Sequence, residues 1–272
     1  MVETIYKIPG APRIALLADL HGRDPAPVLS SVRRYAPSLI AITGDILYGS
    51  HPEGDVSPLV PQTNVLPFLS SCASLAPTYF SLGNHEQMLD HRDIKEIEKT
   101  GVVVLDNAWR EVEADGKAVV IGGLTSGYVT DYRRFRATQD GKERYPKKEN
   151  LSGIGGAVTA SQHIPDTAWL DDFSATSPSS IHIALSHHPE YFPLIPPTID
   201  LVLSGHTHNG QIAYYSFRRH RWTGLWAPGQ GWLPKYSKGV YEGKLVVSAG
   251  LANTASVPRL FNPVECVYIE SP

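Results

Sequence analysis

The feature that most constrains this chain is the run at residues 203–210, LSGHTHNG, in which two histidines stand one residue apart between glycines. It overlaps the end of an apolar run at residues 198–203 that predicts a buried strand. On a helix of about 3.6 residues per turn, His206 and His208 would diverge, whereas at a strand end both can enter one pocket. Imidazole is the commonest metal-ligating side chain. The run therefore predicts a metal site whose other ligands come from elsewhere in the chain.

Polar residues also follow four other apolar runs, at residues 13–18, 38–43, 78–82 and 181–185. Each run predicts a strand, and helices are predicted at residues 25–35, 63–75 and 90–100. In open α/β sheets, ligands bind beyond the carboxyl ends of the strands. The residues at these ends form the candidate site: Asp19, His21, Asp45, Asn84, His85, His187, His206 and His208.

The donor types in this set favour a pair of metal ions. Carboxylate and amide oxygens with imidazole nitrogens suit manganese, iron or zinc. Cys72 and Cys266 form no Cys-x-x-Cys motif, so neither a thiolate site nor a disulfide framework is expected. The donors are too many for one tetrahedral ion. Two ions about 3.5–4 Å apart, bridged by a carboxylate, account for them better.

Composition limits the classes of partner. A net charge of −3 gives no basic footprint, so we expect no stable nucleic-acid binding. Hydrophobic residues make up 42% of the chain, enough for a large core. Residues 1–10 contain no long apolar stretch, so we expect neither signal peptide nor membrane anchor, and a cytoplasmic location. The oligomeric state is left open.

The second half of the chain is less regular. Short strands are predicted at residues 102–123, and residues 125–164 read as an irregular loop insertion in a single domain spanning 1–272. Residues 217–236 carry three tryptophans. These either cover a sheet or form an apolar wall for a substrate. Further strands are predicted at residues 239–248 and 264–269.

Taken in order, the motifs resemble those of the calcineurin-like metallophosphoesterases. The matching blocks are Asp19-x-His21, Gly44-Asp45, Gly83-Asn84-His85-Glu86, His187 and Gly205-His206-x-His208. The C-terminal part is similar to the YkuE/YaeI-type phosphodiesterase branch. The resemblance runs from about Arg13 to Ile269 and implies a four-layer α/β/β/α sandwich of two mixed β-sheets flanked by helices.

The resemblance also implies roles. One metal would be held by Asp19, His21, Asp45 and His208, and the second by Asp45, Asn84, His187 and His206. The catalytic group would comprise His85 with Asp45 and Asn84. The implied reaction is hydrolysis of a phosphodiester, or of a phosphorylated small molecule, by a hydroxide held between the metals, with His85 as general acid.

Several alternatives stay open at this stage. The family pattern favours His187 over the adjacent His188 as the ligand. Glu86 stands where many members have Asp as the partner of the neighbouring histidine, and Asn209 stands where this branch often has Gly. A phosphomonoesterase acting on a small metabolite, or a non-catalytic metal-binding scaffold, would also fit the motifs. Arg259 either contacts phosphate or packs structurally.

Overall fold

The structure is a computed structural model that describes residues 1–48, 56–138, 163–217, 220–253 and 257–272. Within these residues the α-helices are α1 (Ala26–Tyr35), α2 (Val65–Leu75), α3 (His91–Glu98), α4 (Gly127–Thr138) and α5 (Leu170–Ala175). The strands are β1 (Val2–Lys7), β2 (Ile14–Leu17), β3 (Leu39–Ile42), β4 (Thr78–Ser81), β5 (Val103–Leu105), β6 (Ala108–Ala114), β7 (Lys117–Leu124), β8 (Ile181–Ser186), β9 (Leu201–Ser204), β10 (Ala213–Ser216), β11 (Arg221–Gly224), β12 (Trp226–Ala227), β13 (Gly231–Trp232), β14 (Gly239–Tyr241), β15 (Leu245–Val247) and β16 (Glu265–Glu270).

Two six-stranded mixed sheets form the framework. The first has the order β1-β16-β2-β3-β4-β5, with β2 to β5 parallel and β16 antiparallel to β2. The second has the order β14-β15-β9-β8-β7-β6, with a parallel centre of β15, β9, β8 and β7. Two short hairpins, β10-β11 and β12-β13, lie outside these sheets.

Three hydrophobic cores show how the layers stack. The middle core joins the sheets face to face, with Ile14 and Leu16 from the first and Ile121 and Leu203 from the second. A second core packs α1, α2 and α3 on the outer face of the first sheet. The third packs α5 and the 3₁₀ segment Pro189–Leu194 on the outer face of the second sheet. This arrangement confirms the four-layer sandwich.

Local sequence accounts for the helix starts. The Asp24 carboxylate accepts the backbone N–H of Ala26 at 3.0 Å at the beginning of α1. At α3, Asp90 accepts from Arg92 and Asp93, and Asp93 accepts from Asp90 in return. These side chains satisfy backbone donors that have no partner within the helix.

The structure contains elements that the sequence did not predict, namely strands β1 and β10 to β13 and helix α4. Strand β1 lies in a segment where no strand was predicted, and it pairs in parallel with β16. Helix α4 lies in the segment that was expected to be irregular. At its beginning the Ser126 hydroxyl accepts the Tyr128 N–H at 3.3 Å, and within it Val129 is fully buried. The remainder of that insertion, residues 139–162, lies outside the described residues, and the single-domain organisation stays a prediction.

Candidate metal centre

The predicted site residues lie where the parallel strands of both sheets end. β2 leads into Asp19 and His21, β3 into Asp45, and β9 into His206 and His208. All five have a positive φ, between 46° and 69°. Non-glycine residues adopt this conformation infrequently, and such strain concentrates at functional sites. The backbone therefore turns sharply at each strand end and directs these side chains to one place.

One group of donors consists of Asp19, His21 and His208. The His208 Nε2 atom lies 3.3 Å from Asp19 Oδ1 and 3.3 Å from His21 Nε2. The other nitrogen of His21, Nδ1, lies 3.2 Å from the Leu47 carbonyl oxygen. When His21 donates Nδ1–H to this carbonyl, its Nε2 lone pair is left for a metal.

A second group consists of Asp45, His187 and His206. The His187 Nε2 atom lies 3.0 Å from Asp45 Oδ2, and His187 Nδ1 lies 2.7 Å from the Thr43 carbonyl oxygen. One donor atom from each residue of this group lies within 4.8 Å of the others. His188 points elsewhere, with Nε2 2.7 Å from the Ser126 hydroxyl. The structure thus brings His187, and not His188, to Asp45.

The donors fit a metal pair. Asp45 belongs to the second group and also lies near His21 and His85, so it stands between the two groups. The Asn84 Oδ1 atom is buried and has no hydrogen-bond partner among the described residues. Buried polar atoms are almost always paired. This orphaned oxygen is therefore consistent with direct ligation of a cation.

Electrostatics favour neutral imidazoles at most ligand positions. Burial lowers the pKa of His21 and of His206 well below the usual value. Burial and the charge on Arg259 lower the pKa of His208 to about 3. Histidine binds metals in its neutral form. These three side chains are therefore in the neutral form near pH 7.

His187 and Asp19 behave differently because carboxylates and imidazoles are buried together. Burial alone would lower the pKa of His187, but the adjacent Asp45 carboxylate outweighs it and raises the pKa to about 9. Burial raises the pKa of Asp19 to about 7. Near pH 7, His187 is protonated and Asp19 is partly protonated. A metal that binds these side chains would displace their protons.

His85 stands at the edge of the centre. Its Nε2 atom lies 3.7 Å from Asp45 Oδ2, and its side chain is 29% exposed. Its Nδ1 atom is buried and has no hydrogen-bond partner in the described part of the chain. Among the histidines of the cluster, this ring is the most exposed.

Glu86 does not take the place of the aspartate partner of His85. Its carboxylate accepts the backbone N–H groups of Gly83, Asp45, Ile46 and Leu47 at 2.8 to 3.1 Å. It is fully buried. Glu86 therefore ties the loop after β4 to the loop after β3 and fixes the backbone of Asp45.

Asn209 and Arg259 complete the surroundings of His208. Asn209 adopts a left-handed conformation, which asparagine tolerates, and its Nδ2 donates to Asn262 Oδ1 at 3.2 Å. Arg259 donates to the Ala252 carbonyl at 2.6 Å, and its Nη2 lies 2.9 Å from His208 Nδ1.

Sequence reasoning missed Glu190, which is buried beside His188 and His206. It follows β8 by four residues, inside the 3₁₀ segment, and belongs to none of the strand-end motifs. The only sequence signal was its position three residues after His187.

Comparison with curated proteins finds distant relatives that cover nearly all of this chain. A Caenorhabditis elegans protein described as a candidate metallophosphoesterase, F40B5.2, is 25% identical over 275 residues, covering 94% of this chain and 47% of the relative. The uncharacterized metallophosphoesterase Cj0846 of Campylobacter jejuni is 26% identical over 274 residues, covering 94% of this chain and 58% of the relative. The chain spans about half the length of these two relatives.

Among solved structures, a dimetal phosphatase from Danio rerio matches with a TM-score of 0.46 and 15% identity, covering 74% of this chain and 83% of that one. A 5'-nucleotidase precursor from Thermus thermophilus also matches with a TM-score of 0.46 and 15% identity, covering 88% of this chain and 49% of that one.

The described residues contain no helix long and apolar enough to cross a bilayer.

The sequence model of the calcineurin-like phosphoesterase family matches residues 12–210, a stretch that contains every residue of the two donor groups. The chain belongs to the calcineurin-like phosphoesterase family.

Proposed function

We propose that this chain is a dinuclear metal-dependent phosphoesterase that hydrolyses phosphodiesters and belongs to the YkuE/YaeI-type branch. The observation that supports it best is the position of Asp45. Its carboxylate lies 3.0 Å from His187 Nε2 in one donor group and close to His21 of the other. A carboxylate shared in this way can bridge two adjacent ions.

The assignment of ligands follows the two groups. Asp19, His21 and His208 would hold one metal and Asn84, His187 and His206 the other, with Asp45 between them. Manganese, iron and zinc all suit this set of oxygen and nitrogen donors. When bound, such a pair activates water near neutral pH and neutralises charge on phosphoryl oxygens.

His85 is proposed as the general acid. It is partly exposed and stands beside Asp45, so it can reach the leaving oxygen of a substrate held at the metals. The Asp45 Oδ1 atom accepts the backbone N–H of His85 at 2.9 Å, which fixes the position of the histidine backbone.

The preference for a diester rests on the surface beside His208. The Trp222 and Trp226 side chains are 47% and 39% exposed, and Trp222 stacks on Phe261. The loop after His208 lies close to this region. A Cβ added at Gly210 would meet the carbonyl oxygen of Trp226. The exposed aromatic rings on strands β11 and β12 would offer an apolar surface to a second ester group.

Kinetics on metal-reconstituted protein test the proposal. A diester and a monoester with the same aryl leaving group are compared, and we expect a higher kcat/KM for the diester. A preference for the monoester would make the chain a phosphomonoesterase. Hydrolysis of neither ester by protein that binds two ions would indicate a metal-binding scaffold.

Replacement of Trp222 and Trp226 by alanine tests the apolar surface. We expect a higher KM for the aryl diester with little change for the monoester. Unchanged diester kinetics would remove the support that these side chains give to the diester preference.

His85→Ala tests the general acid. We expect kcat to fall by about 10²- to 10⁴-fold, with metal content unchanged because His85 is assigned to neither ion. Turnover that stays intact at saturating metal would show that the assigned role is wrong.

A further inference from the structure

A buried carboxylate lies behind the second donor group. Glu190 is at the start of the 3₁₀ segment Pro189–Leu194, and its side chain is 9% exposed. Its Oε1 atom lies 3.3 Å from His188 Nδ1 and 3.8 Å from His206 Nε2. Its Oε2 atom is buried and has no hydrogen-bond partner among the described residues. The mechanism proposed above makes no use of this group.

Surrounding residues hold Glu190 against His206 and away from solvent. His188 bridges the carboxylate to the Ser126 hydroxyl, 2.7 Å from its Nε2. The rings of His188 and His206 are in contact, with centroids 4.1 Å apart. Gly229 lies so close that a Cβ there would stand 2.2 Å from Glu190 Oε1. The loop between β12 and β13 therefore lies against the carboxylate, and a side chain at position 229 would displace it.

The geometry also assigns the two nitrogens of His206. Its Nε2 atom is the one that faces Glu190. A neutral imidazole carries a single proton, and a nearby carboxylate favours the proton on the nitrogen that faces it. The Nδ1 atom is then left with the lone pair that a metal needs.

We propose that Glu190 is a positioning residue that holds His206 as a metal ligand through Nδ1, with His188 and Ser126 fixing the carboxylate in turn. This inference rests on the proposed role of His206 as a ligand. Glu190 acts through His206, because its Oε1 atom faces the Nε2 atom of that ring. A carboxylate in this position orients the ring and strengthens the ligand.

The first test measures metal affinity instead of activity. Stepwise Mn²⁺ binding, followed by competition with a chromophoric chelator, is compared for wild type, Glu190→Gln and Glu190→Leu. We expect one of the two Mn²⁺ affinities to fall by about 10- to 100-fold, more in the leucine variant, while the other stays unchanged. Glu113→Gln, at an exposed position of β6, serves as the control and is expected to match wild type.

Unchanged Mn²⁺ affinity at both sites would overturn the proposal. An equal loss of affinity at both sites together with a lower thermal midpoint would also overturn it, since a merely structural role of Glu190 would have that effect. Wild-type protein that binds two ions but hydrolyses no ester would contradict the proposed function and leave this comparison intact.

A second measurement does not depend on variants. Nitrogen-15 NMR of histidine-labelled, chelator-treated protein reports which nitrogen of His206 carries the proton. We expect the proton on Nε2. A proton on Nδ1 with a bare Nε2 would overturn the proposal.

Discussion

At the scale of single residues, the contacts that a side chain makes distinguish it from neighbours of the same type. His187 and His188 follow the same strand and are the same residue type, so only their contacts, to Asp45 and to Ser126 respectively, separate them. Glu86 matched a motif position, but three of its four partners are backbone donors from a loop about forty residues away. A pattern of residue types contains no information on such contacts.

Glu86→Gln should destabilise the protein, because an amide cannot replace a carboxylate that accepts several backbone N–H groups at once. Each buried donor left unpaired costs about 1–3 kcal/mol. We expect the free energy of unfolding, measured by urea denaturation of chelator-treated protein, to fall by at least that amount. Glu111→Gln on exposed β6 is the control. Equal stability of the two variants would contradict the role given to Glu86.

Metal binding should release protons. The pKa of His187 is raised to about 9 and that of Asp19 to about 7, so near pH 7 the metal-free centre holds protons that ligation displaces. Metal affinity should therefore rise with pH up to about pH 9. Calorimetry in buffers of different ionisation enthalpy should detect at least about one proton released at pH 7. A binding enthalpy that does not change with the ionisation enthalpy of the buffer would contradict this account.

At the scale of elements, the buried strands were predictable, whereas the edge strand β1 was not. β2, β3, β8 and β9 are continuous apolar runs because both faces are covered. β1 has exposed side chains on both faces, and its partner β16 lies about 260 residues away. Its pairing depends on tertiary contact, which no local pattern contains.

The loops after β3 and β4 form a single unit at Gly83. A Cβ on this residue would lie 2.3 Å from Asp45 Oδ1. Gly83→Ala should therefore displace Asp45 and lower metal affinity by about 10- to 100-fold. Gly116→Ala, in a turn where an added Cβ meets nothing within 4 Å, should leave metal affinity unchanged. Equal metal affinity in both variants, measured by chelator competition, would contradict the close approach.

At the scale of the whole molecule, the centre exists only because two sheets pack together. The first sheet positions Asp19, His21, Asp45 and Asn84, and the second positions His187, His206 and His208. The core between the sheets fixes how these two sets meet. Strand ends could be read from hydrophobic patterning, and the rule that ligands bind beyond these ends predicted one shared site there. The face-to-face packing of two sheets came from the family resemblance, because periodicity does not specify how one sheet lies on another.

The most direct measurement is anomalous X-ray scattering from a crystal of the metal-loaded protein. We predict two peaks about 3.5–4 Å apart, with the Asp45 carboxylate between them and His187 and His208 on opposite sides. A single peak at this centre, or none within bonding distance of Asp45, would contradict the dinuclear account.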